Sequence, residues 1–313
     1  MWNYHFKVPK EKQIRLLVYT DCANEADDQY ALAHALMTQK FDVVGIIAAH
    51  FDLNTRREGS PDAPGSTAEK SYQEILTVLD KMGLTGQYKV TIGSGVPLKD
   101  EKTPILSEGA QMIIDEAMKE DSRPLYIGCQ GSVTDLASAI LIKPEICHRM
   151  TAIWIGGGDY PKGGFEFNLM QDIHGGNVLF SSTMPVWQIP MKVYKTLSVS
   201  LAELEYKVAP CGEIGKYLFE NLVALNEKLA DVPHWPHGEL WGLGDQGVIA
   251  VLMQESERVD NFHMIPAPRI NVEDMTYDLN SGNREIRVYD YIDYRITLED
   301  MFAKLALNFG TCK

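Results

Sequence analysis

Short runs that are apolar at almost every position recur along this chain, separated by longer amphipathic stretches; residues 14–20 (IRLLVYT) and 42–48 (DVVGIIA) are the clearest. A strand that is apolar on both sides of its pleat needs cover on both faces, the situation of parallel strands held between two layers of helices. Further strands are expected at 89–93, 124–128, 152–156, 186–189 and 262–265. Helical patterns fill the intervals at 26–39, 68–81, 108–119, 133–141, 173–182, 214–229, 246–255 and 298–307. The expected fold is therefore α/β, an open and mostly parallel sheet with helices on both faces. Residues 285–294 (EIRVYDYIDY) instead alternate, as an edge or hairpin strand would.

Hydrophobic residues at 45% and charged residues at 23% are ordinary for a globular protein and exclude wholesale disorder. The 313 residues carry no repeat, low-complexity tract or Ser/Gly linker, so residues 1–313 are expected to form a single domain. No apolar run approaches the ~18 residues of a membrane span. Residues 1–12 are polar and charged, without the apolar core of a signal peptide. With 29 Lys+Arg against 43 Asp+Glu the net charge is −14. That balance argues against nucleic acid as a partner and suits a small molecule held through a cation, although surplus acid also serves solubility. Five cysteines (Cys22, Cys129, Cys147, Cys211, Cys312) are odd in number and form no CxxC pair. They read as reduced thiols, and a cytoplasmic location is expected.

In open α/β sheets ligands gather at the carboxyl ends of the strands, so the residues just after each strand are the ones to examine. The first strand is followed by Asp21, Glu25, Asp27 and Asp28, with no Lys or Arg among them. Such crowding repels unless solvent or a cation relieves it. Acids in a helix's first turn also complement its dipole without any function. His50 and Asp52 follow the second strand. Gln130-Gly131 follows the strand at 124–128, either as a tight turn or as a carbonyl donor to a hard cation. After 152–156 a glycine-rich loop leads to Glu166 and Asn168, placed around Phe167, expected to be buried. A carboxylate and an amide at that spacing suit hydroxyl recognition, and no GK[ST] or GxGxxG supports a phosphate cradle. Asp245 opens an apolar helix, where it caps or ligates. Upstream, residues 232–237 crowd His234, Trp235 and His237 into one loop, and residues 56–65 form a polar Pro/Gly-rich loop expected as a lid.

Taken in order, Asp21…Asp27-Asp28, Gly93-Ser94-Gly95-Val96-Pro97-Leu98, Gln130-Gly131-Ser132-Val133-Thr134-Asp135, Gly156-Gly157-Gly158, Glu166-Phe167-Asn168 with Asp172, and Asp245 carry a resemblance. Over roughly residues 14 to 255 the chain resembles the inosine/uridine-preferring nucleoside hydrolase superfamily, in a divergent NExDD-type branch. The resemblance implies a Rossmann-like core and a Ca²⁺-dependent hydrolase that cleaves the N-glycosidic bond of a ribonucleoside or related ribosyl compound. It implies Ca²⁺ held by Asp21, Asp28, the carbonyl of Gln130 and Asp245, with Asp27 on the ribose 2′- and 3′-hydroxyls and Glu166 and Asn168 on the sugar. Asp21 would accept the proton of the attacking water. A small ribosyl substrate and a homodimer or homotetramer are the implied partners.

Two departures stand out. Five residues rather than three separate Asp21 from Asp27, which makes Asn24 and Glu25 additional candidates for the metal or sugar. The histidine that precedes the last metal aspartate in purine-acting members is Gly244 here. His237 is the first candidate to protonate the leaving base in its place, with His234 and His50 behind it, and Trp241 and Trp235 are candidates to stack on the base. A non-catalytic or carbohydrate-directed sugar-binding relative is the alternative expectation. A metal-dependent phosphoester hydrolase ranks last, because the acidic segments have almost no Lys or Arg.

Overall fold

The structure, a computed structural model, describes residues 2–53, 62–233, 238–254 and 261–310. Twelve strands are found among them: β1 (Ile14–Thr20), β2 (Phe41–Ala48), β3 (Val90–Ile92), β4 (Leu125–Gln130), β5 (Thr151–Ile155), β6 (Val186–Ile189), β7 (Ser198–Ser200), β8 (Leu240–Gly242), β9 (Phe262–Pro266), β10 (Arg269–Ile270), β11 (Tyr277–Asp278) and β12 (Glu285–Tyr289). The helices are α1 (Asp28–Met37), α2 (Thr67–Lys81), α3 (Glu108–Ala117), α4 (Thr134–Ile142), α5 (Phe167–Gln171) and α6 (Ile173–Ser181) in the first part of the chain. They continue with α7 (Met191–Tyr194), α8 (Leu201–Lys207), α9 (Gly212–Lys228), α10 (Gln246–Met253) and α11 (Tyr294–Phe309).

Eight strands form one sheet in the order β3-β2-β1-β4-β5-β6-β12-β9, parallel throughout except for the β12–β9 pair. The unbroken apolar run of β1 is explained by what lies above and below it. Ile14, Leu16 and Val18 point into a core shared with α1, α2, α9, α10 and α11, whereas Leu17 and Tyr19 point into a second core shared with α3, α4 and α6. Each face thus removes its own set of side chains from water, the main term holding such a sheet together.

The chain runs from β1 outward through β2 to β3, then returns to lay β4 along the other side of β1. The β1/β4 seam is therefore the topological switch point, where the loops leaving the carboxyl ends diverge and open a crevice.

The alternating segment at 285–294 is not an edge. Its strand, β12, lies between β6 and β9, and β9 takes the edge position. The sequence also gave no sign of the small β7–β8 and β10–β11 pairings, which are too short to carry a periodic signal. The last helix starts earlier than expected, at Tyr294, because the Asp293 carboxylate caps it by accepting from the Ile296 N–H at 3.0 Å. Most of the expected lid at 56–65 lies outside the described residues. Among those described, no helix is long and apolar enough to cross a membrane.

Candidate functional site

Three segments distant in sequence meet at the carboxyl edge of β1 and β4. β1 ends at Thr20 and delivers Asp21, which is buried. The turn after β4 approaches so closely that a Cβ on Gly131 would lie 2.9 Å from Cγ of Asp21, which is why that position is glycine. α1 begins at Asp28 with Asp27 as its N-terminal cap residue, and α10 begins just after Asp245. Each of Asp27, Asp28 and Asp245 offers a carboxylate oxygen within 4.8 Å of the others, all three being buried. The Asp245 N–H donates to Asp27 Oδ2 at 3.3 Å, Thr20 Oγ1 donates to Asp28 Oδ1, and Gln130 Nε2 donates to the Asp245 carbonyl at 3.2 Å. Asp21 Oδ2 is buried with no partner.

The grouping expected from the resemblance was Asp21, Asp28, Gln130 and Asp245. The tight trio contains Asp27 in place of Asp21, and Asp21 adjoins it closely enough to feel the charges of Asp28 and Asp27.

These acids resist ionisation together. Burial, then the charge on Asp27, pushes the Asp28 carboxyl up to about 8. Burial pushes Asp27 up to about 6 against backbone hydrogen bonds that pull it down. Glu25 is raised to about 8 by burial and by Asp27 and Asp28, with Lys195 the one cation opposing the shift. Asp21 and Asp245 are raised well above the carboxylate range, again by burial first and the neighbouring acids second. Asp28 and Asp245 also hydrogen-bond to each other, which two carboxyl groups can do only when one of them keeps its proton. Among the described residues no Lys or Arg forms an ion pair with these four aspartates. Crowded carboxyl oxygens and the orphaned Asp21 Oδ2 make a donor set that could hold a hard divalent cation.

The other expected residues fall into two groups. Asn168 lines the same edge: its Nδ2 donates to the Ile155 carbonyl at 2.8 Å, and its side-chain oxygen makes no hydrogen bond among the described residues. Asn24 follows Asp21 in a tight turn, its N–H donating to the Asp21 carbonyl at 2.8 Å. Glu166 is instead consumed by the protein. Oε1 accepts from the Asn168 N–H at 3.1 Å and the Tyr194 hydroxyl at 2.6 Å, and Oε2 accepts from the N–H groups of Gly157 at 2.7 Å and Leu169 at 2.9 Å. Its neighbour Phe167, expected to be buried, is only half-buried.

His50 is fully buried with both ring nitrogens engaged. Nδ1 accepts from the Asp52 N–H at 3.3 Å, and Nε2 lies 2.7 Å from Thr134 Oγ1, which donates to Asp172. A base-side role for His50 would break this chain. Trp241 is 2% exposed within the larger hydrophobic core and offers no free ring face. His237, like His234 and Trp235, lies outside the described residues. Gly93 and Ser94 of the glycine-to-PL segment pack against Asp135, which acts as a brace. The Asp135 carboxylate takes Tyr19, Ser107 and the Ser94 N–H, and a Cβ on Gly93 would lie 2.3 Å from it.

The profile of the inosine-uridine preferring nucleoside hydrolases matches residues 16–290, most of the chain and every segment just described. The chain belongs to the inosine-uridine preferring nucleoside hydrolase family. A curated nucleoside hydrolase relative, the pyrimidine-specific ribonucleoside hydrolase RihA of Salmonella paratyphi A, is 23% identical over 207 residues, 61% of this chain and 65% of the relative. The match thus spans just under two thirds of that relative's length. Among solved structures, a purine-preferring ribonucleoside hydrolase from Gardnerella vaginalis superposes with a TM-score of 0.74 at 19% identity, covering 93% of this chain and 98% of the other. The type III effector XopQ complexed with adenosine diphosphate ribose superposes with a TM-score of 0.66 at 14% identity, covering 96% and 94%.

One residue at this candidate site escaped the sequence. Tyr194 closes α7, the turn that follows β6, and reaches between Glu166 and Gly244. A Cβ on Gly244 would lie 2.9 Å from the Tyr194 ring and 3.6 Å from Asp27 Oδ2. The tyrosine ring therefore occupies the space beside the position where a histidine was missed. The strand-end rule applied to β6, where Pro190 ends the strand, would have drawn attention to residues 190–195.

Proposed function

We propose that this protein is a Ca²⁺-dependent N-glycosidase acting on a ribonucleoside or related ribosyl compound. The observation that carries the reading is the meeting of Asp27 and Asp28 with Asp245, more than two hundred residues away in sequence, beside an Asp21 oxygen that is buried and unpartnered. Ca²⁺ takes six to eight hard oxygen ligands, and this donor set contains nothing else. Asp21, Asp28, Asp245 and the Gln130 carbonyl would hold the ion, with Asp27 shared between it and the ribose hydroxyls. When bound, the ion neutralises the cluster and acidifies a water molecule. The chain's own groups do the rest. Asp21 takes the proton from the water that attacks the anomeric carbon, and Asn168 uses its amide oxygen to accept from a sugar hydroxyl. The surrounding carboxylates stabilise the positive charge that develops on the ring as the base departs. His237 is the proposed donor to the departing base. The four described cysteines are unpaired, which supports a reducing compartment such as the cytoplasm.

A second reading, sugar binding without cleavage, is favoured by the tyrosine ring packed against Gly244. A substrate panel separates the two. Inosine, uridine and a nitrophenyl riboside are incubated with the protein, with and without chelator, and reducing sugar is measured. Hydrolysis predicts chelator-sensitive release, and His237→Ala is expected to slow inosine far more than the nitrophenyl riboside, whose leaving group needs no proton. Ribose binding without release from any of the three would establish the second reading instead.

A further inference from the structure

We propose that Tyr194 is a sugar-binding residue, accepting on its phenol oxygen a hydroxyl of the ribosyl group; the proposal rests on the ribosyl reading above. An ionised carboxylate has about four acceptor positions. Glu166 has spent all four, on the N–H groups of Gly157, Asn168 and Leu169 and on the Tyr194 hydroxyl. It is anchored on three sides by backbone and cannot turn to a ligand without uncapping α5. The group in this pair with acceptor capacity to spare is the oxygen of the tyrosine it holds.

The direction of that hydrogen bond sets the chemistry. Tyr194 donates its only proton to Glu166 Oε1 at 2.6 Å, so the lone pairs of the phenol oxygen are left to accept, and no described group donates to them. A phenol that donates to a carboxylate becomes a stronger acceptor, because charge shifts along the chain. Burial, then the charge on Glu166, pushes the phenol well above its usual pKa, so the proton stays in place. The ring is only partly covered, and its Cδ2 edge borders the same point beside Gly244 that Asp27 Oδ2 borders, which places that edge beside the aspartate cluster. Sugar hydroxyls, which both donate and accept, fit between such an acceptor and the acids opposite.

The test crosses one atom removed from the protein with one atom removed from the sugar. With calcium present, the unaltered protein and Tyr194→Phe are compared on a riboside and on its 2′-, 3′- and 5′-deoxy analogues, after thermal melting confirms that both fold. Tyr194→Phe is expected to lose roughly 3- to 10-fold in kcat/KM on the parent, the range for a neutral hydrogen bond. The loss should recur on two analogues and shrink to about twofold or less on the one lacking the bound hydroxyl. Equal losses on all four compounds, or no loss on the parent, overturn the proposal. If the unaltered protein cleaves none of them, the glycosidase reading fails by itself. Calorimetric binding of ribose and the corresponding deoxy sugars to both proteins then decides Tyr194, with the same pattern expected and the same uniform result overturning it.

Discussion

Asp28→Asn yields a protein that melts at a higher temperature than the native chain when both are stripped of metal, yet cleaves ribosides at least about a thousandfold more slowly. The substitution keeps the shape of the side chain and an acceptor for Thr20 Oγ1 while removing one buried, crowded acid. Without metal that acid is a liability, since burial and the charge on Asp27 both oppose its ionisation. Relief of roughly 1–3 kcal/mol is expected, the usual cost of an uncompensated buried polar group. Activity moves the other way because charge compensation by a bound cation is worth several kcal/mol at the transition state, and each ~1.4 kcal/mol is tenfold in rate. Opposite movement of stability and activity marks a residue kept for function rather than for the fold. Melting curves in chelator and initial rates in calcium check it. Loss of both properties together would make Asp28 a structural residue.

The second large effect is on the pH dependence of stability. In the unfolded chain carboxyl groups titrate near 4. In the folded, metal-free protein Asp27 is raised to about 6, and Asp28 and Glu25 to about 8. The folded state therefore binds more protons than the unfolded one across that interval. Stability is fully present below about pH 4 for these groups and falls as pH rises through 6 and 8. Between pH 5 and 8.5 the metal-free protein is expected to lose several kcal/mol from these groups, on the order of 10 °C in melting temperature. Calcium in excess should flatten the decline, because the ion replaces the protons. A melting temperature that rises over this range without metal would contradict the buried cluster.

Much of this was legible in one dimension because it depended on local pattern. The both-faced apolar run of β1 fixed its limits at Ile14–Thr20, and the strand-end rule led directly to Asp21, Asp27 and Asp28 and, with the apolar start of α10, to Asp245. What stayed hidden depended on which groups approach through space. Glu166 reads as a ligand-binding carboxylate until the Gly157 turn and Tyr194 arrive to occupy it. His50 follows a strand just as Asp21 does, but Thr134 and the Asp52 backbone close its ring nitrogens. Trp241 looks available for stacking, yet the β7–β8 pairing turns it into the core. The longer segment between Asp21 and Asp27 left open which acids converge, and the fold brings Asp27 rather than Asp21 into the tightest trio.

The most direct measurement is a calorimetric titration of calcium into the metal-stripped protein near pH 7, repeated in two buffers of different ionisation enthalpy. One ion per chain should bind and release protons from the raised carboxyl groups, so the apparent heat depends on the buffer. Asp28→Asn and Asp245→Asn should each abolish that binding. Absence of binding at millimolar calcium, or binding undiminished in both variants, would contradict a cation held by these acids.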